Sequence, residues 1–213
     1  MAGDSRAQIL GRLRRAVPRH AAAQARPPSD RIGPATSAED NRARFVERLE
    51  AARSTVDRLS SLAEVPAAVA RYLAGQNLPA RLYVAPELRD RLDFGTVSVS
   101  VSDSLPVDDG WAVLTGCAAA VSETGTFVAA SGPDRDQRLT YLAETLIVVV
   151  GANQILGAYE EVWDRLGVRA GHGAPRLVSF ITGPSRTADI EQTIEWGAHG
   201  PRRLHVLISD EMP

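Results

Sequence analysis

Apolar positions along this 213-residue chain follow two rhythms that alternate from one segment to the next. Phe45, Val46, Leu49 and Ala52 fall at helical spacing, and Ser37 with Asp40 caps the helix they predict from about residue 36. Short runs rich in Val, Ile, Leu or Thr predict strands at 55–59, 81–85, 96–101, 111–115, 125–129, 146–150, 177–181 and 203–208. Between them, helices are predicted at 64–73, 87–92 and 154–166, and from Ser185 or Thr187 to Trp196. The unbroken apolar run 146–150 predicts a strand covered on both faces. This alternation argues an α/β domain with a mainly parallel central sheet flanked by helices. No internal repeat interrupts it.

The first residues behave differently. Asp4 or Ser5 can cap a short amphipathic helix with Ile9, Leu10, Leu13 and Val17 on one face and Arg6, Arg12, Arg14 and Arg15 mostly around the other. Residues 18–35 carry Pro18, Pro27, Pro28 and Pro34 and read as an extended arm. The chain therefore divides into an arm, 1–35, and an α/β domain, 36–213. An arginine-rich, acid-poor leader resembles a mitochondrial transit peptide. It equally suits a helix that docks on a partner, or an arm that folds back on its own domain or frays.

Composition removes several mechanisms. A net charge of −2, with 23% charged and 44% hydrophobic residues, gives no general pull toward nucleic acid. Every side-chain cation apart from histidine is arginine, so a Schiff-base lysine and a P-loop lysine are both impossible. Cys117 is the sole cysteine, which excludes an intramolecular disulfide, a four-cysteine zinc site and a self-sufficient iron–sulfur cluster. No segment approaches the ~20 apolar residues of a membrane span, and the start lacks a secretory core. A soluble protein of the reducing cytoplasm is expected.

Three segments carry candidate chemistry. In Ile181-Thr182-Gly183-Pro184-Ser185-Arg186-Thr187-Ala188-Asp189-Ile190-Glu191, a strand is followed by a break and a predicted helix start. Free N–H groups there, beside Arg186, would favour a carboxylate or phosphate, at the strand end where open α/β sheets bind ligands. The plain structural reading makes Ser185 an N-cap, Arg186 a surface charge and Asp189 a helix-start acid. Gly197-Ala198-His199-Gly200-Pro201-Arg202 forms a tight turn that has no conformational need of His199 beside Arg202. In Ser122-Glu123-Thr124-Gly125-Thr126, Glu123 suits a general base or an acyl-transfer nucleophile. Equally, Thr124 and Thr126 suit a turn that bonds its own backbone.

Other residues rank lower. Cys117, among small apolar neighbours, reads as a core thiol; His172 falls in a loop, His205 in the last strand and His20 in the arm. No histidine pair has helical metal-ligand spacing. A dinucleotide glycine fingerprint, a nucleophile elbow and a basic stripe with aromatics are all missing.

At these three segments the chain resembles the lactate utilisation protein C family, whose shared module is the LUD domain. Glu123-Thr124-Gly125-Thr126, the stretch from Gly183 to Glu191, and Gly197 with His199-Gly200-Pro201-Arg202 occur in that family's order and approximate spacing. Ile9-Leu10-Gly11-Arg12-Leu13-Arg14 and Arg44-Phe45-Val46-Glu47-Arg48-Leu49 are similar as well, so the likeness runs through nearly the whole chain. The resemblance implies a fold like that of CoA transferases, glucosamine-phosphate and ribose-phosphate isomerases and methenyl-folate synthetases. It also weakens the transit-peptide reading, since the leader becomes part of a bacterial family pattern. One departure stands out: where the family commonly has a proline and a histidine, this chain has Leu139-Thr140-Tyr141-Leu142-Ala143-Glu144.

Membership implies a part in oxidising L-lactate to pyruvate beside two separate iron–sulfur proteins. With one cysteine and no flavin or nicotinamide motif, this chain suits an accessory or substrate-binding component that binds no cofactor alone. Thr124, Gly125, Thr126, Gly183, Pro184, Ser185, Arg186, Thr187, Asp189, His199, Gly200 and Arg202 would then hold an anionic metabolite or a partner's acidic segment. The competing expectation is a stand-alone small-molecule enzyme in which Glu123 attacks or deprotonates a substrate anchored on Ser185, Arg186 and His199.

Overall fold

The computed structural model describes residues 8–12, 37–102, 104, 110–133, 135–171, 173–190 and 193–211. The chain divides into two compact units, 1–34 and 35–213. In the first, residues 8–12 are helical and expose Ile9 and Leu10; Leu13, Val17, His20 and the proline-rich arm lie outside the described residues.

The second unit opens with α1 (Ala38–Ala51). Ser37 Oγ accepts from the Asp40 N–H at 3.1 Å, and the Asp40 carboxylate accepts from the Ser37 N–H at 3.3 Å, closing the expected capping box. There follow β1 (Thr55–Leu59), α2 (Val65–Gly75), β2 (Arg81–Val84), α3 (Pro86–Arg89), β3 (Ser100–Ser102) and β4 (Ala112–Gly116). Next come β5 (Ala119–Val121), β6 (Thr126–Ala130), α4 (Leu139–Leu142), β7 (Thr145–Gly151), β8 (Ile155–Leu156) and α5 (Glu160–Arg165). The chain closes with β9 (Val178–Thr182), β10 (Arg186–Ile190), β11 (Thr193–Trp196) and β12 (Arg203–Ser209).

Six strands form a central sheet in the order β1-β12-β7-β4-β2-β3, with every pairing parallel. β7 lies inside it and is buried at all seven positions. Leu146, Val148 and Val150 point into one core with Phe45, Leu49 and Val206, while Ile147 and Val149 join Val65, Val69 and Leu73 of α2 on the opposite face. A strand sandwiched this way has no use for polar alternation, which is why its sequence is a continuous apolar run.

A second, four-stranded sheet, β8-β5-β6-β9, closes over the first core through Ala120, Phe127, Ala129 and Ile155. Its other face packs Val121 and Val128 against Val162 of α5. Among the described strands, β10 and β11 pair only with each other.

Three predicted elements take a different form in this architecture. The helix expected over 154–166 shrinks to α5, because the Gln154 side chain accepts from the Gly151 N–H at 2.7 Å and donates to the Cys117 carbonyl at 2.8 Å. Those bonds hold the chain extended long enough for Ile155 and Leu156 to pair with β5. The strand expected over 96–101 is confined to β3, and only its three residues find a partner, in β2. The helix expected from Ser185 or Thr187 to Trp196 is instead the hairpin β10–β11.

Candidate functional site

Two of the three motif segments meet at one end of the four-stranded sheet, where β6 begins at Thr126 and β9 ends at its partner Thr182. Thr126 Oγ1 lies 2.6 Å from Thr182 Oγ1, 2.7 Å from Thr124 Oγ1 and 2.8 Å from the Tyr159 hydroxyl. A hydroxyl donates once and accepts twice, so these three neighbours saturate the fully buried Thr126. In the same turn Ser122 Oγ donates to Asn41 Oδ1 of α1 at 3.1 Å.

The glycines of the two segments are required by α1. Gly125 has φ +69°, and a Cβ there would lie 2.7 Å from the backbone of Arg48 and Leu49. Gly183 has φ +71°, and its Cβ would meet the Ala52 carbonyl oxygen at 2.5 Å. Both positions therefore need a left-handed backbone and the absence of a side chain.

The third segment is laced to the second through Ser185. Its N–H donates to the Pro201 carbonyl at 2.8 Å, its carbonyl accepts from the Gly197 N–H at 3.0 Å, and its Oγ accepts from the His199 N–H at 3.4 Å. Arg186 pairs across the hairpin with Trp196, its guanidinium 5.6 Å from the ring centroid. The expected anion-binding helix N-terminus is therefore absent: Ser185 caps no helix, and positive charge comes from the Arg186 side chain alone. The segment leaves the second sheet at Thr182 for the β10–β11 hairpin, and through the Ser185–Pro201 bond it sits by the N-terminal end of β12, not at the C-terminal strand ends of the parallel sheet.

Gly183, Pro184, Ser185, Arg186, His199 and Gly200 line one groove of about 400 Å3, together with Thr140, Tyr141 and Phe180. No carboxylate is among its described lining residues. The Tyr141 hydroxyl donates to Ser179 Oγ at 2.7 Å, and Ser179 Oγ donates to Gln137 Oε1 at 2.8 Å, fixing that wall. Thr140 and Tyr141 belong to the segment in which the expected family histidine is missing.

The remaining candidates are not in the groove lining. Thr124, Gly125 and Thr126 act beneath it as the hydroxyl cluster and α1 contact described above. Glu123 is exposed in its turn and makes no hydrogen bond to a described residue. Arg202 is exposed, and its N–H donates to the Glu144 carbonyl at 2.9 Å. Thr187 is half-buried in β10; the Asp189 side chain, and His172, lie outside what is described.

Sequence reasoning passed over Glu87, beside the C-terminal end of β4. Its Oε1 accepts from Thr115 Oγ1 at 2.8 Å and from the Gly116 N–H at 3.1 Å, while its Oε2 is buried without a described partner. The available signal was an acid directly after the 81–85 strand. Cys117 is buried, and desolvation pushes its thiol up to about 12. His205 is buried against Tyr72, and loss of solvation pulls its imidazole down to about 4. No group of three or more metal-ligating side chains is found among the described residues. None of their helices is long and apolar enough to cross a membrane.

Comparison with known proteins agrees with this layout. The LUD domain model matches residues 110–209, which include all three motif segments, so fold and motifs together define an α/β protein of the LUD type. Lactate utilization protein C of Deinococcus radiodurans is 35% identical over 152 residues, covering 70% of each chain. Lactate utilization protein C of Bacillus subtilis is 33% identical over 93 residues, 42% of this chain and 39% of that one. A crystal structure of a DUF162 family protein from Deinococcus radiodurans superposes with a TM-score of 0.62 at 28% identity, covering 82% of this chain and 99% of that one. The chain belongs to the lactate utilization protein C family.

Proposed function

We propose that this protein is a non-redox component of L-lactate utilisation, the oxidation of L-lactate to pyruvate, acting with separate iron–sulfur proteins. The observation that carries the reading is the 35% identity with Lactate utilization protein C across 70% of both chains. The groove supports a binding role for the component: lined by Arg186 and by no described carboxylate, it suits an anionic group, supplied by a small metabolite or by a partner. Electron carriage falls to the partners, because a cluster needs several thiolates and this chain offers only the buried Cys117.

Affinity purification of the tagged protein from its host grown on L-lactate tests the reading. Iron–sulfur proteins co-eluting in fixed proportion, and loss of growth on L-lactate when the gene is deleted, are expected. An iron-free single chain and unimpaired growth would overturn it. For the groove itself, thermal stabilisation by millimolar L-lactate, pyruvate or inorganic phosphate that disappears in Arg186→Ala would place a metabolite there.

A further inference from the structure

The groove runs beside a sheet edge with which no described strand pairs. β9 is the last strand of its sheet and pairs only with β6. The Ser131 N–H donates to the Leu177 carbonyl at 2.9 Å, which sets the antiparallel alternation: residues 177, 179 and 181 turn their backbone groups toward β6, and Val178 and Phe180 turn theirs outward. No described residue bonds the outward groups.

Natural proteins blunt an open edge with lysine, proline, bulges or inward charges. Val178 to Thr182 contains none of these, and its pairing with β6 is regular over all five residues. Apolar side chains are exposed on both faces of this edge: Phe180, 39% exposed, lies on the α5 face against Tyr159 and Trp163, and Tyr141, 47% exposed, lies on the other face, bonded to Ser179. Residues 176–186 carry an exposed arginine at each end, Arg176 and Arg186, and no acid between them.

Charge decides what fits. A second copy paired antiparallel about Phe180 would bring residue 176 of one chain opposite residue 184 of the other. In that register, the one centred on the outward-facing Phe180, Arg176 would approach the partner copy's Arg186 region at both ends, a like-charge cost. A segment with acids at its ends meets attraction at both places. The geometry points to an interaction surface on which a partner protein adds an extended strand along β9, with apolar residues meeting Phe180 on one face and Tyr141 on the other, and with its terminal carboxylates on Arg176 and Arg186. This rests on the reading of the groove as a site for an anionic group, and assigns that group to a partner's peptide chain.

Panning the full chain against a displayed library of random linear peptides tests the surface. Enriched peptides should carry Asp or Glu around a continuous apolar centre, and should slow amide exchange at Val178 and Phe180. The Arg176→Glu/Arg186→Glu double variant should weaken them about tenfold. Phe180→Pro, which removes an outward N–H and leaves the β6 ladder intact, should do the same; if it misfolds, the charge reversal still decides.

Absence of enrichment, binding that survives the charge reversal, or protection away from β9 would overturn the inference. So would a concentration-dependent dimer that protects the same amides, which would make the occupant a second copy. Thermal stabilisation by L-lactate or phosphate, lost in Arg186→Ala with no peptide enriched, would leave the anion site standing and remove the strand-addition surface alone.

Discussion

The hydroxyl oxygens of Thr126 and Thr182 approach to 2.6 Å across the paired strands β6 and β9, joining two motif segments that lie far apart in sequence. Thr126 is fully buried, so removing Thr182 Oγ1 leaves its hydroxyl one partner short of saturation where water cannot replace it. Thr126→Val and Thr182→Val should each destabilise the domain by about 1 kcal/mol, and the double variant by less than the sum of the two. Denaturant unfolding of all four proteins measures this coupling; strict additivity would show that the two hydroxyls act independently.

Gly125 and Gly183 are held by steric contact with α1, which separates them from glycines that serve only turn geometry. Gly171 has a similar φ of +82° but nothing within 4 Å of its ideal Cβ. Gly171→Ala should therefore cost only the backbone part, about 1 kcal/mol. Gly125→Ala and Gly183→Ala must in addition push the chain off α1 and should each cost at least about 2 kcal/mol. Equal destabilisation of all three variants would remove the α1 contact as the reason for these glycines.

Elements whose sequence signal and tertiary setting agree were legible. Ser37 and Asp40 cap α1, and Thr55–Leu59 forms β1, where each residue pairs with β12. The buried run that becomes β7 has the composition of a strand covered on both faces. The segment after Pro184 was ambiguous: Ile190 and Ile194 fall at helical spacing, yet Thr187, Ile190, Thr193 and Ile194 are all β-branched. What decided it was non-local, since Arg186 meets Trp196 and Gly197 closes onto Ser185. β5 was missed because Ala119, Ala120 and Val121 are small, and only contact with β6 and β8 makes them a strand. The motif residues were thus legible as a group. The split between groove lining, Arg186 among it, and the supports beneath, Thr126 and Gly125, depends on a sheet that sequence spacing does not encode.

Cys117 illustrates how far burial governs reactivity. Its thiol is in the core, 3.8 Å from Gln154 Oε1, and desolvation raises it to about 12, so almost no thiolate exists near neutral pH. Iodoacetamide should leave the native protein unmodified and label it at the rate of unfolding, with full labelling in denaturant. Fast modification of the native protein would contradict this burial and reopen Cys117 as a reactive group.

His205 sets the expected response to acid. Its ring stacks on Tyr72 at 4.0 Å and 7°, its Nδ1 lies 2.8 Å from Thr55 Oγ1, and its buried Nε2 has no described partner. Burial lowers its pKa from 6.5 to about 4, against the opposing pull of the Asp57 carboxylate. In that interval the unfolded chain takes up a proton that the folded chain refuses, so stability rises with pH. The contribution is complete above about pH 6.5 and is lost as pH falls toward 4; at about 1.4 kcal/mol per pH unit it amounts to about 3 kcal/mol. His205→Phe keeps an aromatic ring against Tyr72 and has no proton to gain. Unfolding free energies measured from about pH 7 down to about pH 4 should fall less steeply for the variant than for the parent. Parallel curves would show that the acid sensitivity arises elsewhere, and that this imidazole is solvated more than its place between β1 and β7 implies.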